Sequence, residues 1–151
     1  YFKKSEFGIS LPLLSPDLIQ KLDTLRGMWG DSIIISPAVG SLVRTYPLGH
    51  SNYESQHNAV KWGEGRAADI MPQITNVDGS KRGLDPFEMK MFYVMAKDAG
   101  FTGIGVYPDW LPFAGFHVDV RQDHKAGNPA TWSGIKTAAG QQYFGIERGF
   151  A

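Results

Sequence analysis

The stretch Gly115-Phe116-His117-Val118-Asp119-Val120-Arg121 constrains this chain more than any other. Apolar and ionisable side chains alternate through it, the period-two pattern of a half-buried strand. Residues two apart in a strand share a face. Phe116, Val118 and Val120 are therefore expected to pack into a core, while His117, Asp119 and Arg121 project together into one cleft. That is a heavy load of ionisable groups for one strand face.

A second stretch supplies what such a cleft could use. Ser55-Gln56-His57 is followed, across a loop containing Trp62 and Gly63, by Gly65-Arg66-Ala67-Ala68-Asp69. Imidazole nitrogen and carboxylate oxygen are both good zinc ligands, and a catalytic zinc usually has three protein ligands with a fourth position open. His57 and Asp69 alone would bind poorly. His117 is the natural third ligand, so the expected metal set is His57, Asp69 and His117.

These residues resemble the zinc D-Ala-D-Ala carboxypeptidases and related peptidoglycan endopeptidases, which share a small α/β fold with the hedgehog signalling domain. That family carries Ser-x-His-x-x-Gly-x-Ala-x-Asp and a later His, often within His-Val-Asp-Val-Arg. Here the first motif reads Ser55, His57, Gly65, Ala67 and Asp69, and the second runs from His117 to Arg121. The opening Tyr1 to Phe7 and the segment Gly103 to Pro108 also look like this family. Two departures stand out. The loop after His57 is longer than usual by about five residues, an insertion a surface loop absorbs at small entropic cost. Many members place an acidic general base three residues before the last histidine, and Ala114 occupies that position here.

The resemblance implies an α+β fold, a small antiparallel sheet flanked by helices and rich in loops. It also implies a Zn²⁺-dependent metallopeptidase that cuts peptidoglycan stem peptides, either as a carboxypeptidase trimming terminal D-Ala or as an endolysin-type endopeptidase. Such a protein would act facing the cell wall, in the periplasm, outside the cell, or as a phage lysin. An arginine helps hold substrate in the family, and Arg44 and Arg121 are the candidates for binding a substrate carboxylate or oxyanion. The base is open. Asp119 is a candidate, although orienting a ligand histidine is the role favoured for it, and Glu64 and Asp109 lie near ligand-bearing loops. The alternative is a catalytically silent zinc-binding module serving as an interaction domain or a phage structural component.

Composition narrows the field around this reading. With 151 residues the chain has the size of one domain, and residues 136–151 read as a C-terminal extension with weak helical character. Lysine plus arginine equals aspartate plus glutamate at 15 each, so no global field draws the protein to nucleic acid or anionic membrane. Cysteine is absent, which excludes a disulfide framework, a thiolate zinc site and a cysteine nucleophile together. No run approaches the 18 or more apolar residues of a membrane span, and the first residues lack the apolar core of a secretory signal. A monomer is expected. There is no His-Glu-x-x-His, no Gly-x-Ser-x-Gly and no phosphate-binding glycine loop.

Along the chain, Ser15-Pro16-Asp17 signals a helix start, with Leu18, Ile19, Leu22 and Leu25 at helical spacing and Gly27 as its end. Ser32 to Ser36 reads as a buried strand and Arg66 to Met71 as a short strand. Asp85-Pro86-Phe87-Glu88 opens the clearest helix, since Asp85 can cap, Pro86 suits the first position and Glu88 completes a capping box. Its apolar stripe is read as Phe87, Met91, Val94 and Met95, ending at Gly100. Gly103 to Tyr107 is a further strand. Trp110 and Phe113 either wall the cleft or cover the core. His50 and His124 read as ordinary solvated residues.

Overall fold

The structure, a computed structural model, describes all 151 residues. The first helix, α1, spans Pro16–Trp29 and follows a 3-10 segment, Lys4–Leu13. Ser15 caps α1 through its side chain, with Pro16 in the first turn. The helix continues past Gly27 and stops at Gly30, whose φ of 74° is the left-handed conformation that ends helices at little cost. Gly27 stays helical beneath the Tyr1 ring, which leaves no room for a side chain there.

Six strands form the main sheet: β1 Ile33–Ile35, β2 Ala67–Pro72, β5 Gly103–Tyr107, β6 Gly115–Asp119, β7 Ala130–Thr137 and β8 Gly140–Phe144. Two short strands, β3 Ile74–Thr75 and β4 Lys81–Arg82, make a separate ribbon. The order across the main sheet is β1-β2-β6-β5-β7-β8. All pairings are antiparallel except β5 with β7, which is parallel. The fold is α+β as expected, and the sheet is mixed rather than antiparallel. A parallel pair needs a crossover, and the chain makes it from β5 through β6, on the far side of β5, and the loop after it.

One face of this sheet is the core. Ala68, Ile70, Ile104, Val106, Phe116 and Val118 pack there against Leu18, Leu22 and Leu25 of α1 and against helix α3, Pro86–Asp98. Asp85 and Glu88 form the expected capping box, and paired hydrogen bonds of 2.8 Å from Arg82 bring the Glu88 carboxyl down to about 2. The buried face of α3 is Met89, Phe92 and Ala96. Phe87, Met91 and Val94 are exposed, so the apolar stripe is rotated from the one expected. The helix is apolar nearly all round, which left its facing residues poorly marked by periodicity.

Residues 136–151 complete the sheet's edge and return to the core. Thr137 and Gly140 close the hairpin between β7 and β8, with Gly140 at a φ of 95°. A 3-10 turn, Ile146–Phe150, then folds back: Ile146 and Phe150 pack on the core, and Phe150 lies 5.7 Å from the Tyr93 ring. Gly149 sits so close to Val106 that a Cβ would approach it to 2.8 Å. Strand β1 also departs from the buried strand expected, since it is an edge with only Ile33 fully buried. No helix is long and apolar enough to cross a membrane.

Candidate metal centre

The sheet's second face carries the ionisable groups. Asp69 on β2 is directly opposite His117 on β6, and His117 is opposite Gly105 on β5. Gly105 in turn is opposite Trp132 on β7. His57 comes from the loop before a one-turn helix, α2, Ala59–Trp62, which occupies the stretch between His57 and Gly65. Asn58 caps this turn with its side-chain oxygen while its amide nitrogen donates to Tyr46 and Tyr53, and Gly63 ends the turn at a φ of 75°. This loop is thus a folded unit, pinned by hydrogen bonds around the histidine.

His57, Asp69 and His117 are all buried, and one ligand atom from each lies within 4.8 Å of the others. Asp69 Oδ1 is 3.1 Å from His57 Nε2 and 3.2 Å from His117 Nδ1. The outer nitrogens decide the tautomers. His57 Nδ1 faces the Leu42 carbonyl at 2.9 Å, and a carbonyl only accepts, so Nδ1 carries the hydrogen. His117 Nε2 donates to Asp119 Oδ2 at 2.7 Å. In the neutral imidazoles, His57 Nε2 and His117 Nδ1 then point bare lone pairs at the same carboxylate oxygen. Two nitrogen lone pairs facing one carboxylate oxygen call for positive charge between them, from a proton or a cation, and the nitrogen-nitrogen-oxygen set could hold a metal ion such as zinc. The residues fit the ion.

The titration behaviour of the bare site agrees with this. Burial pushes His57 below its ordinary value. Burial opposes a charge on His117 too, but its hydrogen bonds to Asp119 and Asp69 outweigh it and raise the imidazole to about 9. Burial would raise Asp69, yet its bonds to His117 and His57 hold it well below the carboxylate range. A proton shared by His117 thus takes the place of positive charge that the cluster demands.

Asp119 is fully buried and committed at both oxygens. Oδ2 accepts from His117 and from Arg121 Nη2 at 2.6 Å, and Oδ1 accepts from Arg121 Nε at 2.9 Å and from the Arg121 backbone N–H. Although burial disfavours its charge, the bonds from Arg121 and His117 keep it ionised. Its position beside His117, away from the cleft surface, is that of a group that orients a ligand. Arg121 spends Nε and Nη2 on that carboxylate and lies over the Trp132 ring at 5.1 Å. Arg44 donates from Nε to Gly40 and from Nη2 to Asp69 Oδ2 at 3.2 Å, which leaves Nη1 for the cleft.

The triad opens into a cleft of about 740 Å³ lined by Arg44, Arg121, Trp110, Glu54 and other residues. Glu64 and Asp109 are outside its lining. Glu64 sits 3.8 Å from Arg66, and Asp109 accepts the backbone N–H of Lys136. Phe113 packs over Gly83, and His50 stacks on Tyr46 at 4.4 Å, both away from the triad. Sequence reasoning missed Glu54, Tyr107, Trp132, Gln141 and Tyr143 as lining residues. A signal existed for two of them. Gly105 is where a Cβ would strike Trp132 at 2.5 Å, and Gly134 is where one would strike Tyr107 at 2.4 Å. Glycine on a sheet marks close approach by another group. Trp132 Nε1 donates to Tyr107 Oη at 2.9 Å, and its ring is 5.2 Å from His117, so this aromatic pair walls the row that carries His117.

In comparisons with known protein families, curated proteins and solved structures, nothing matches this chain.

Proposed function

We propose that the protein is a zinc-dependent peptidase acting on peptidoglycan stem peptides, of the kind its motifs resemble, the zinc D-Ala-D-Ala carboxypeptidases and their endopeptidase relatives with the hedgehog-type fold. The observation that carries the reading is the convergence of His57 Nε2, His117 Nδ1 and Asp69 Oδ1 on the floor of an open cleft. A structural zinc would ordinarily be closed by a fourth protein ligand, whereas three ligands at a cleft suit hydrolysis. Bound there, zinc would supply Lewis acidity toward a scissile carbonyl.

The chain's own groups have separable tasks. Asp119 holds His117 in the tautomer that binds metal. Arg44, with Nη1 unspent on the protein and its side chain on the cleft, would stabilise negative charge developing on a carbonyl oxygen or pair with a substrate carboxylate. Glu54 is the one carboxylate besides Asp69 on the cleft lining, and so the candidate proton acceptor.

A silent zinc-binding module is the second reading. It is favoured by Ala114, which stands where the resembling family places its acid and packs against the core instead. Purified protein, supplemented with zinc, should carry about one zinc per chain and release soluble peptides from cell-wall preparations, and chelator should stop the release. Zinc bound without any release would support the silent module. Metal content near zero would defeat both.

A further inference from the structure

The cleft reaches far beyond the triad. Trp132 and Gly134 share a face of β7, and Gly134 is directly opposite Tyr143 on β8, with Lys136 opposite Gln141. His117, Gly105, Trp132 and Tyr143 therefore project on one side of the sheet, and Gln141 and Tyr143 line the same cleft as His57 and Asp69. From β6 to β8 is three strand steps, about 14 Å at the usual spacing, which is the length of about four extended residues. The cavity, about 740 Å³, sits in the upper part of the ~300–1,000 Å³ range that encloses drug-sized ligands. A terminal dipeptide at the triad would leave most of it to water.

The far end also carries the right groups. Gln141 Nε2 donates to Tyr143 Oη at 2.9 Å, which leaves the amide oxygen of Gln141 to accept and the hydroxyl hydrogen of Tyr143 to donate. Trp29, Trp62 and Trp132 spend their indole N–H groups within the protein. Trp110, stacked on Tyr107 at 4.2 Å, keeps its own for the cleft. A donor, an acceptor and a flat apolar wall beside them match the alternating N–H and C=O groups of an extended peptide.

We infer that the cleft is built for a peptide extending about four residues from the reacting bond, and that Gln141 and Tyr143 hold the distant end. The cutting rests on the peptidase reading above; the length preference rests on the hairpin alone.

Binding separates the two. The protein without added metal, where nothing is cut, is titrated calorimetrically with a cross-linked stem-peptide dimer and with N-acetyl-D-Ala-D-Ala. The dimer should bind at least about tenfold more tightly. The double variant Gln141→Ala, Tyr143→Ala should lose that margin, bind the dipeptide as before, and keep its melting temperature, because Tyr143 is 63% exposed. Equal affinities for the two probes, or a double variant that still prefers the dimer, would overturn the inference. With zinc added, a length preference without hydrolysis sinks the peptidase reading and leaves this one standing. Hydrolysis with no length preference does the reverse.

Discussion

Asp119 and His117, two residues apart on one strand, are joined by a 2.7 Å hydrogen bond from His117 Nε2 to Asp119 Oδ2, and this bond turns Nδ1 of the same ring toward Asp69. Strand alternation puts both side chains on one face. Gly103, opposite Asp119 on β5, leaves space for the carboxylate, since a Cβ there would meet Asp119 Oδ1 at 2.2 Å. The acid is thus held by what the neighbouring strand lacks.

Replacing Asp119 with Asn tests what that bond does. The variant keeps an acceptor for His117 but loses the charge paired with Arg121. Zinc affinity should fall by about ten- to a hundredfold, the scale for groups that support a metal-binding histidine. Activity should return at saturating zinc. A fall in activity of about a hundredfold or more with zinc still bound would instead mark Asp119 as the proton acceptor.

The site's own acid-base behaviour gives a pH prediction. In metal-free protein His117 is raised from an ordinary 6.5 to about 9. A raised value means the imidazolium stabilises the fold fully below about pH 6.5, and this contribution is lost as pH rises through about 9. Zinc needs the same Nδ1 free of its proton, so its binding strengthens over the same interval. The gap in melting temperature between zinc-loaded and chelated protein should therefore widen from pH 6 to pH 9.5. A gap that narrows across that range would show that the proton and the ion do not compete for His117.

Much of this site was legible because strand alternation and side-chain chemistry are local. The pattern from Phe116 to Arg121 sorted the two faces of the strand: Phe116 and Val118 are fully buried in the core, His117 and Arg121 line the cleft, and Asp119 lies on their face but is enclosed beneath the cleft surface instead of projecting into it. The capping signals at Ser15 and Asp85 were equally local and equally readable. The C-terminal hairpin was hidden for the opposite reason. The two glycines of β7 and β8, Gly134 and Gly140, weaken the strand signal, and the need for Gly134 is visible only once Tyr107, distant in sequence, lies over it. Glu54 was missed because nothing in the order of residues distinguishes one loop carboxylate from another. Only the folded loop puts it on the cleft while leaving Glu64 outside.

Gly105→Ala probes the wall beside the triad. The added methyl would meet Trp132 Nε1 at 2.5 Å and Cε2 at 2.6 Å, so the indole must move, and its ring packs 5.2 Å from His117. Overpacking of this kind costs about 1–3 kcal/mol. Denaturant titration should show a loss of that size, with weaker zinc binding. A variant as stable as the parent and with unchanged metal affinity would mean that Trp132 shifts freely and does not brace the histidine.

The remaining prediction assigns the proton acceptor. A base must reach the cleft, and of the acids considered only Glu54 lines it without serving as a metal ligand. Asp119 is enclosed by His117 and Arg121, Asp109 accepts from the Lys136 backbone, and Glu64 lies near Arg66. Glu54 pairs with Lys61 at the exposed rim of the loop that carries His57, a contact it can leave when a substrate arrives. Glu54→Gln preserves the shape of the side chain and removes its basicity. Turnover should fall by about a hundredfold or more, the usual scale for a general base, while zinc content and melting temperature stay at parent values. Glu64→Gln and Asp109→Asn should leave turnover within about threefold, since surface substitutions away from a site act weakly. If Glu54→Gln keeps its turnover and Glu64→Gln loses it, the loop must rearrange to bring Glu64 onto the cleft, and the assignment passes to that residue.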